Sequence, residues 1–111
     1  MNGTLEKDTQ KTILAYLAAK RIFHYRNNSG GAMVKGNGDK GQFIRFGAVG
    51  SPDIICVIDG HYIGIEVKGP KGKQSDHQKA FQEKLNAAGG IYLLVHSFEE
   101  FMKAYPHLFD D

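Results

Sequence analysis

The clearest alternation of hydrophobic and polar residues lies between Ser51 and Lys68. Two runs rich in Ile and Val flank Asp59-Gly60, and an Asp-Gly pair between such runs predicts a β-hairpin. Because successive side chains point to opposite faces of a strand, each strand has one apolar and one more polar face. The apolar face is predicted to enter a core and comprises Ile54, Cys56, Ile58, Ile63, Ile65 and Val67.

The opposite face of the predicted hairpin brings two carboxylates and an ammonium group together. A two-residue turn at Asp59-Gly60 places Asp53 opposite Glu66, whereas a turn at Gly60-His61 places Asp53 opposite Lys68. Both registers keep the same two faces. Opposed side chains on a hairpin lie about 5 Å apart at Cβ. Two carboxylates at that range repel each other unless a proton or a cation lies between them.

This polar group has two interpretations. In the functional one, Asp53 and Glu66 bind a hard divalent ion such as Mg²⁺, which takes oxygen ligands, and Lys68 holds an attacking water or a developing charge. In the other, the three are surface residues that only pair with one another. Pro52 fixes the entry to the strand and Gly64 removes a side chain beside the pair. We therefore favour the functional site.

The rest of the chain predicts further helices and strands. Thr4 can cap the first helix, and the Ser75-x-x-Gln78 and Ser97-x-x-Glu100 patterns are typical of capping boxes that open two later helices. Hydrophobic periodicity sets the approximate bounds. The predicted elements are a helix over 4–22 with the stripe Ile13, Leu14, Leu17 and Ala18, a strand over 22–28, a helix over 76–88, a buried strand over 91–95 and a helix over 98–105.

Three features of these helices have alternative interpretations. Glu6 begins the buried stripe of the first helix, where it either favours the helix dipole or adds a third carboxylate aimed at the sheet. Gln78 either completes the helix cap or orients a water at the site. The aromatic stripe over 98–105 forms part of the core or an oligomer contact.

Residues 29–50 are rich in glycine and predict a long loop. They lack the strand–GxxxxGK[ST]–helix context of a nucleotide P-loop. Gln42 to Phe46 can form a short strand or an ordered turn within this loop. We interpret the loop as a flap that contacts substrate, with a disordered excursion as the alternative.

Composition places few limits on function. The 111 residues suit one domain over residues 1–111, and the net charge of +2 is too small to indicate a nucleic-acid partner by itself. The apolar runs are too short to cross a membrane, so we expect an intracellular, cytoplasmic protein without membrane contact. Cys56 lies on the apolar face and is expected to be a core residue.

Pro52-Asp53, twelve further residues and Glu66-Val67-Lys68 resemble the PD-(D/E)XK nuclease motif. The surrounding segments are similar to those of the VRR-NUC (virus-type replication-repair nuclease) family, in particular its stand-alone phage and bacterial members. These segments, which together extend over nearly the whole chain, are Glu6, 26–31, 50–53, 65–70, 75–78 and 88–92.

The resemblance implies an α/β (α+β) fold with a restriction-endonuclease-like αβββαβ core, in which helices flank a central mixed sheet. It implies a Mg²⁺- or Mn²⁺-dependent endonuclease that cuts branched DNA, such as a flap or a four-way (Holliday) junction, as a homodimer. Asp53, Glu66 and the Val67 main-chain carbonyl would bind the metal, with Glu6 as an additional ligand. Lys68 would act on the attacking water, and Gln78 would support the site. Phosphate contacts would come from Arg26, Arg45, Lys71 and Lys73.

Two alternatives to a nuclease remain at this point. The first is a nucleic-acid-binding module that keeps the fold but not the chemistry. The second is a structural dimerisation domain, motivated by the aromatic stripe over 98–105. Asp53, Glu66 and Lys68 are all present, which favours the nuclease over both.

Overall fold

A computed structural model describes residues 2–27, 31–35, 41–45 and 47–110 of the chain. It contains three α-helices, six β-strands and a short 3₁₀ helix within these residues. In chain order the elements are α1 (Asn2–Ala19), β1 (Phe23–Arg26), β2 (Gly31–Val34), β3 (Gln42–Arg45), β4 (Ile54–Ile58), β5 (His61–Val67), α2 (Asp76–Ala87), β6 (Ile91–Val95), α3 (Phe98–Ala104) and the 3₁₀ helix Tyr105–His107.

The predicted hairpin is formed by β4 and β5 and lies at the centre of a mixed four-stranded sheet, in the order β1-β4-β5-β6. Ile58 pairs with His61, so the turn is at Asp59-Gly60 and the first of the two predicted registers is correct. Asp59 and Gly60 both have positive φ, at 51° and 81°, as a tight type I′ hairpin turn requires. Strand β6 runs parallel to β5.

One face of this sheet packs against α1 and α3. The apolar face predicted for the hairpin enters the core as expected, with Ile58 partly buried and the other five residues buried. Ile13 and Leu17 of α1 and Phe101 of α3 complete this core, each at most 1% exposed. Cys56 is buried within it, and burial raises the pKa of its thiol to about 11. A thiol that is hard to ionise suits a core residue rather than a nucleophile.

The aromatic stripe of α3 belongs to the core. Tyr16 of α1 makes edge-on contacts with the rings of Phe98, Phe101 and Tyr105, with centroids 5.4 to 5.9 Å apart. Aromatic pairs prefer such edge-to-face geometry. Of the two predicted roles for this stripe, core and oligomer contact, the structure supports the core. The stripe therefore no longer motivates a dimerisation domain.

The prediction of α1 is wrong in its details. The helix already includes Asn2, so Thr4 lies within it and is not its N-cap. The helix ends at Ala19 rather than near Ile22, because Arg21 adopts a left-handed φ of 57° that cannot continue a right-handed helix. Ala18, expected in the buried stripe, is exposed.

Two other local predictions need correction. The segment predicted to be a glycine-rich loop contains a second antiparallel pair, in which β2 pairs with β3 as a separate two-stranded sheet. The short strand predicted as one alternative for Gln42 to Phe46 is confirmed as β3, whereas β2 was not predicted. At α3, Ser97 caps the helix, but the Glu100 carboxylate accepts from the His96 N–H (2.9 Å). The reciprocal bond of a capping box would come from Ser97 itself. The Ser75 capping box, in contrast, is complete.

None of the described helices is both long enough and apolar enough to span a membrane.

Candidate active site

The β4–β5 hairpin places Asp53 and Glu66 next to each other at the end of the sheet away from the turn. Ile54 pairs with Ile65, so the residue before β4 faces Glu66 across the ladder. Asp53 Oδ2 accepts a hydrogen bond from the Val67 backbone N–H at 2.8 Å. The Asp53 side chain therefore accepts the hydrogen bond that a backbone carbonyl of β4 would otherwise accept from β5. This bond fixes the position of the Asp53 carboxylate.

Glu66 is a buried carboxylate, only 4% exposed. Its Oε1 atom has no hydrogen-bond partner. Burial, the charge of Asp53 and a side-chain hydrogen bond with Asp53 together raise the pKa of Glu66 to about 8, while Lys68 opposes the rise. A buried, incompletely paired carboxylate is energetically costly. The site therefore favours a proton or a cation at this position.

Lys68 follows β5 and supplies the nearest cation. Its Nζ lies 3.8 Å from Glu66 Oε2, and its side chain is 20% exposed. The Lys68 backbone N–H donates to the Val95 carbonyl at 2.9 Å. A Cβ on Gly72 would lie 2.9 Å from Lys68 Cβ, so the turn after β5 folds closely over the lysine. The ammonium group is held beside the carboxylates and still reaches solvent.

The segment before Asp53 is held by Asn27, a residue whose role the sequence did not reveal. Its Nδ2 donates to Ser51 Oγ (2.8 Å) and to the Pro52 carbonyl (2.9 Å). Its backbone N–H donates to the Asp53 carbonyl at 2.7 Å. Asn27 thus orients the start of β4 from the neighbouring strand.

Gly64 and Pro52 pack directly against each other. A Cβ on Gly64 would lie 2.4 Å from Pro52 Cγ, which is far inside van der Waals contact. This contact explains sterically why Pro52 and Gly64 occur together beside the carboxylates. Only glycine at position 64 lets Pro52 lie flat on β5.

Tyr92 is the second residue near the site that sequence reasoning missed. It pairs with Gly64, is 8% exposed, and its hydroxyl has no hydrogen-bond partner. Burial and, to a smaller extent, the charges of Glu66 and Asp53 raise the pKa of Tyr92 to about 12, while the Gln74 side chain opposes the rise. A buried phenol thus lies within electrostatic range of both carboxylates.

The two remaining site candidates differ in their placement. Glu6 is partly buried on α1, and its charge contributes to the raised pKa of Glu66. Glu6 does not join Asp53 and Glu66 in a cluster of three potential metal ligands among the residues that the structure describes. Gln78 accepts from the Ser75 N–H through Oε1 (2.9 Å), so its side chain serves the helix cap, one of its two predicted roles.

The predicted phosphate-binding cations lie on different elements. Arg26 ends β1, and Lys71 and Lys73 occupy the turn after Lys68; all three are exposed. Arg45 ends β3, and its side chain lies outside the described part of the structure. Residues 29, 30, 36–40 and 46, which belong to the expected substrate flap, also lie outside it.

The basic turn is tied to α3 by His96. The two ring nitrogens lie 2.9 Å from the Gly72 carbonyl and 3.1 Å from Glu100 Oε1. Both partners are acceptors, so an imidazolium with two N–H groups satisfies them best. The hydrogen bond to Gly72, followed by that to Glu100, raises the pKa of His96.

The residues at this site can be compared with the needs of a divalent ion. Over residues 2–27, 31–35, 41–45 and 47–110, no three His, Cys, Asp or Glu side chains converge as a ready set of ligands. Mg²⁺ is often bound through one or two carboxylates, with waters and phosphate oxygens completing its shell. Asp53 and Glu66, with an oxygen of Glu66 unpartnered, fit that smaller requirement.

No protein-family model matches the chain, and no curated protein matches it either.

Proposed function

We propose that the protein is a metal-dependent, structure-selective DNA endonuclease that hydrolyses phosphodiester bonds. The observation that carries the proposal is the buried carboxylate of Glu66, which has one unpartnered oxygen, adjoins Asp53 and lies 3.8 Å from the Lys68 ammonium. The motif resemblance and the mixed sheet support a restriction-endonuclease-like core, with β2 and β3 as an added hairpin.

Asp53 and Glu66 would hold Mg²⁺ or Mn²⁺, with the Val67 carbonyl and Glu6 as candidate further ligands. A bound divalent ion supplies Lewis-acid activation of the phosphodiester and of water. The protein's part is to fix the two carboxylates. The Val67 N–H holds the Asp53 carboxylate, and the Asn27 side chain holds the segment that precedes Asp53. Burial within β5 fixes Glu66.

Lys68 acts on the reacting atoms. Its ammonium group can orient the attacking water and stabilise the charge that develops on the phosphoryl oxygens. The contact with Glu66 keeps the flexible lysine side chain in place before substrate binds. The exposed Arg26, Lys71 and Lys73 would contact backbone phosphates, which position DNA without reading its sequence.

The test is cleavage of a four-way junction, a flap and a linear duplex in Mg²⁺, Mn²⁺ or EDTA. We expect metal-dependent cleavage of the branched substrates. Lys68→Ala should lower the cleavage rate by about 10²-fold or more. Asp53→Asn should have a similar effect while keeping an acceptor for the Val67 N–H, so the loss would not reflect a broken strand contact.

Lys103→Ala and Glu83→Gln are matched controls, since both residues are exposed on helices away from the hairpin. They should cleave like the wild type. Absence of cleavage in every metal, or cleavage that Lys68→Ala leaves unchanged, would refute the proposed chemistry. Cleavage of plain duplex at one defined sequence would refute structure selectivity.

The alternative is a catalytically inactive nucleic-acid-binding module with the same fold. It is favoured by the fact that only two carboxylates, not three, converge among the described residues. Binding of branched DNA in EDTA with affinity equal to that in Mg²⁺, and no cleavage, would support this alternative.

A further inference from the structure

A small pocket between α1 and β1 collects positive charge. It has a volume of about 230 Å³ and is lined by Lys7, Gln10, Lys11, Leu14 and Arg26. The helical residues lie on one continuous face, since spacings of three and four place side chains together on a helix. Two separate elements therefore direct three cationic side chains around one cavity.

These cations lack local compensation. In the described part of the chain, neither lysine nor the arginine forms a salt bridge within 4 Å. Lys7 and Lys11 are like charges four residues apart, an arrangement that destabilises a helix. An anion in the pocket would relieve this repulsion. The Arg26 guanidinium matches the geometry of phosphate oxygens.

The pocket is connected to the candidate active site through Arg26. Arg26 precedes Asn27, whose side chain and backbone bind the segment 51–53. A strand that presents one phosphate to Asp53 and Glu66 therefore passes near α1.

We propose that Lys7, Lys11 and Arg26 form a second phosphate-binding site, which takes a backbone phosphate of the nucleic-acid strand next to the one at the carboxylates. The inference rests on the proposed function for its ligand class. The proposal adds α1 to the surface that binds nucleic acid. Of these three residues, only Arg26 was predicted from the sequence to contact phosphate.

The test is the salt dependence of DNA binding, measured with a fluorescent four-way junction and Ca²⁺ in place of Mg²⁺. Each phosphate contact contributes about 0.9 to the slope of log Kobs against log[salt] for duplex DNA. Lys7→Gln/Lys11→Gln should reduce the slope by about 1.8, and each lost contact should weaken binding roughly fivefold at 0.15 M salt.

The control is Lys20→Gln/Lys103→Gln, which removes the same charge from the far end of α1 and from α3. It should leave the slope within about 0.5 of the wild type. Equal slopes for the two double variants would overturn the inference, as would a wild type that does not bind the junction at low salt. If the wild type binds with the expected slopes but does not cleave, the second site stands and the nuclease proposal fails. If the wild type cleaves but the two double variants have equal salt slopes, the nuclease proposal stands and the second site fails.

Discussion

Glu66 is the residue at which folding and the proposed chemistry conflict. A glutamine of the same shape would avoid both the repulsion by Asp53 and the burial of a charge, which together raise the pKa of Glu66 to about 8. A carboxylate is useful at this position only if a cation approaches it. The cost of its burial is therefore an argument for a ligand.

Binding of Mn²⁺ should follow from this argument. We expect saturating Mn²⁺ to raise the melting temperature of the wild type by several degrees, since a ligand that binds only the native state stabilises it. Glu66→Gln should abolish most of that rise, and its metal-free form should be roughly 1–3 kcal/mol more stable than the wild type at pH 8. Thermal unfolding with and without Mn²⁺ measures both effects.

Glu83→Gln is the control for this measurement, because Glu83 is exposed on α2. It should respond to Mn²⁺ as the wild type does. An equal rise in melting temperature for the wild type and Glu66→Gln would mean that the ion binds elsewhere.

Individual residues were predictable where their role depends on the hairpin alone. Asp53, Glu66 and Lys68 were found because alternation and one turn place them on a common face. Asn27 and Tyr92 were not, because their roles depend on contacts between elements. Asn27 binds residues 24 and 25 positions away, and Tyr92 reaches the site only through the parallel pairing of β6 with β5.

Among the elements, the hairpin was predicted well because its signals are local. Asp59-Gly60 supplies the positive φ angles of the turn, and the Ile and Val alternation sets the faces. In the second hairpin, the strand at Gln42–Arg45 was one of the predicted alternatives. Its partner β2 escaped prediction because it has only four residues and is embedded in a glycine-rich segment. The bounds of α1 were missed because the left-handed turn at Arg21 has no glycine to mark it.

Two glycines of the central hairpin should respond differently to alanine. Gly60 has a φ of 81°, and no atom lies within 4 Å of the position that a methyl group would occupy, so Gly60→Ala should cost about 1–2 kcal/mol through backbone strain alone. Gly64→Ala should cost up to about 3 kcal/mol through overpacking. It should also reduce cleavage, because its Cβ displaces Pro52 beside Asp53. Denaturant unfolding and cleavage assays separate the two effects.

The comparison is informative because both substitutions are in the same hairpin. We expect Gly60→Ala to cleave normally at a temperature where it is folded. If Gly64→Ala were as active as the wild type, the packing of Pro52 on β5 would not be needed to place Asp53.

The basic turn after β5 should be sensitive to pH through His96. Its pKa is raised from 6.5, so the folded state binds the proton more tightly. The resulting stability is fully present below pH 6.5 and is lost as pH rises through the higher folded value. The pKa of Glu100 is lowered from 4.5, chiefly by the His96 backbone N–H. The stability that Glu100 contributes is therefore present above pH 4.5 and is lost as pH falls through the lower folded value.

We therefore expect His96→Gln to destabilise the protein by about 0.5 kcal/mol near pH 6, since the pair is partly exposed, and by less at pH 8.5. Urea unfolding at the two pH values measures the difference. His77→Gln, on exposed α2, is the control. A destabilisation by His96→Gln that grows with pH would contradict the charged contact.

For the whole molecule, the homodimer that the motif resemblance implies makes a prediction about strand symmetry. A four-way junction offers two equivalent strands, and a twofold dimer presents two copies of the Asp53–Glu66 site to them. Light scattering should give twice the chain mass of 12.3 kDa. Cleavage should produce paired nicks at symmetric positions.

A mixed dimer tests this prediction most directly. One wild-type chain and one Lys68→Ala chain, carrying different affinity tags and purified through both, should nick only one strand of each junction, because each site would act on its own strand. If mixed dimers still cut both strands, a single site must act twice by rebinding. If a monomer makes the paired nicks, the twofold arrangement is wrong, although the chemistry assigned to the hairpin would remain.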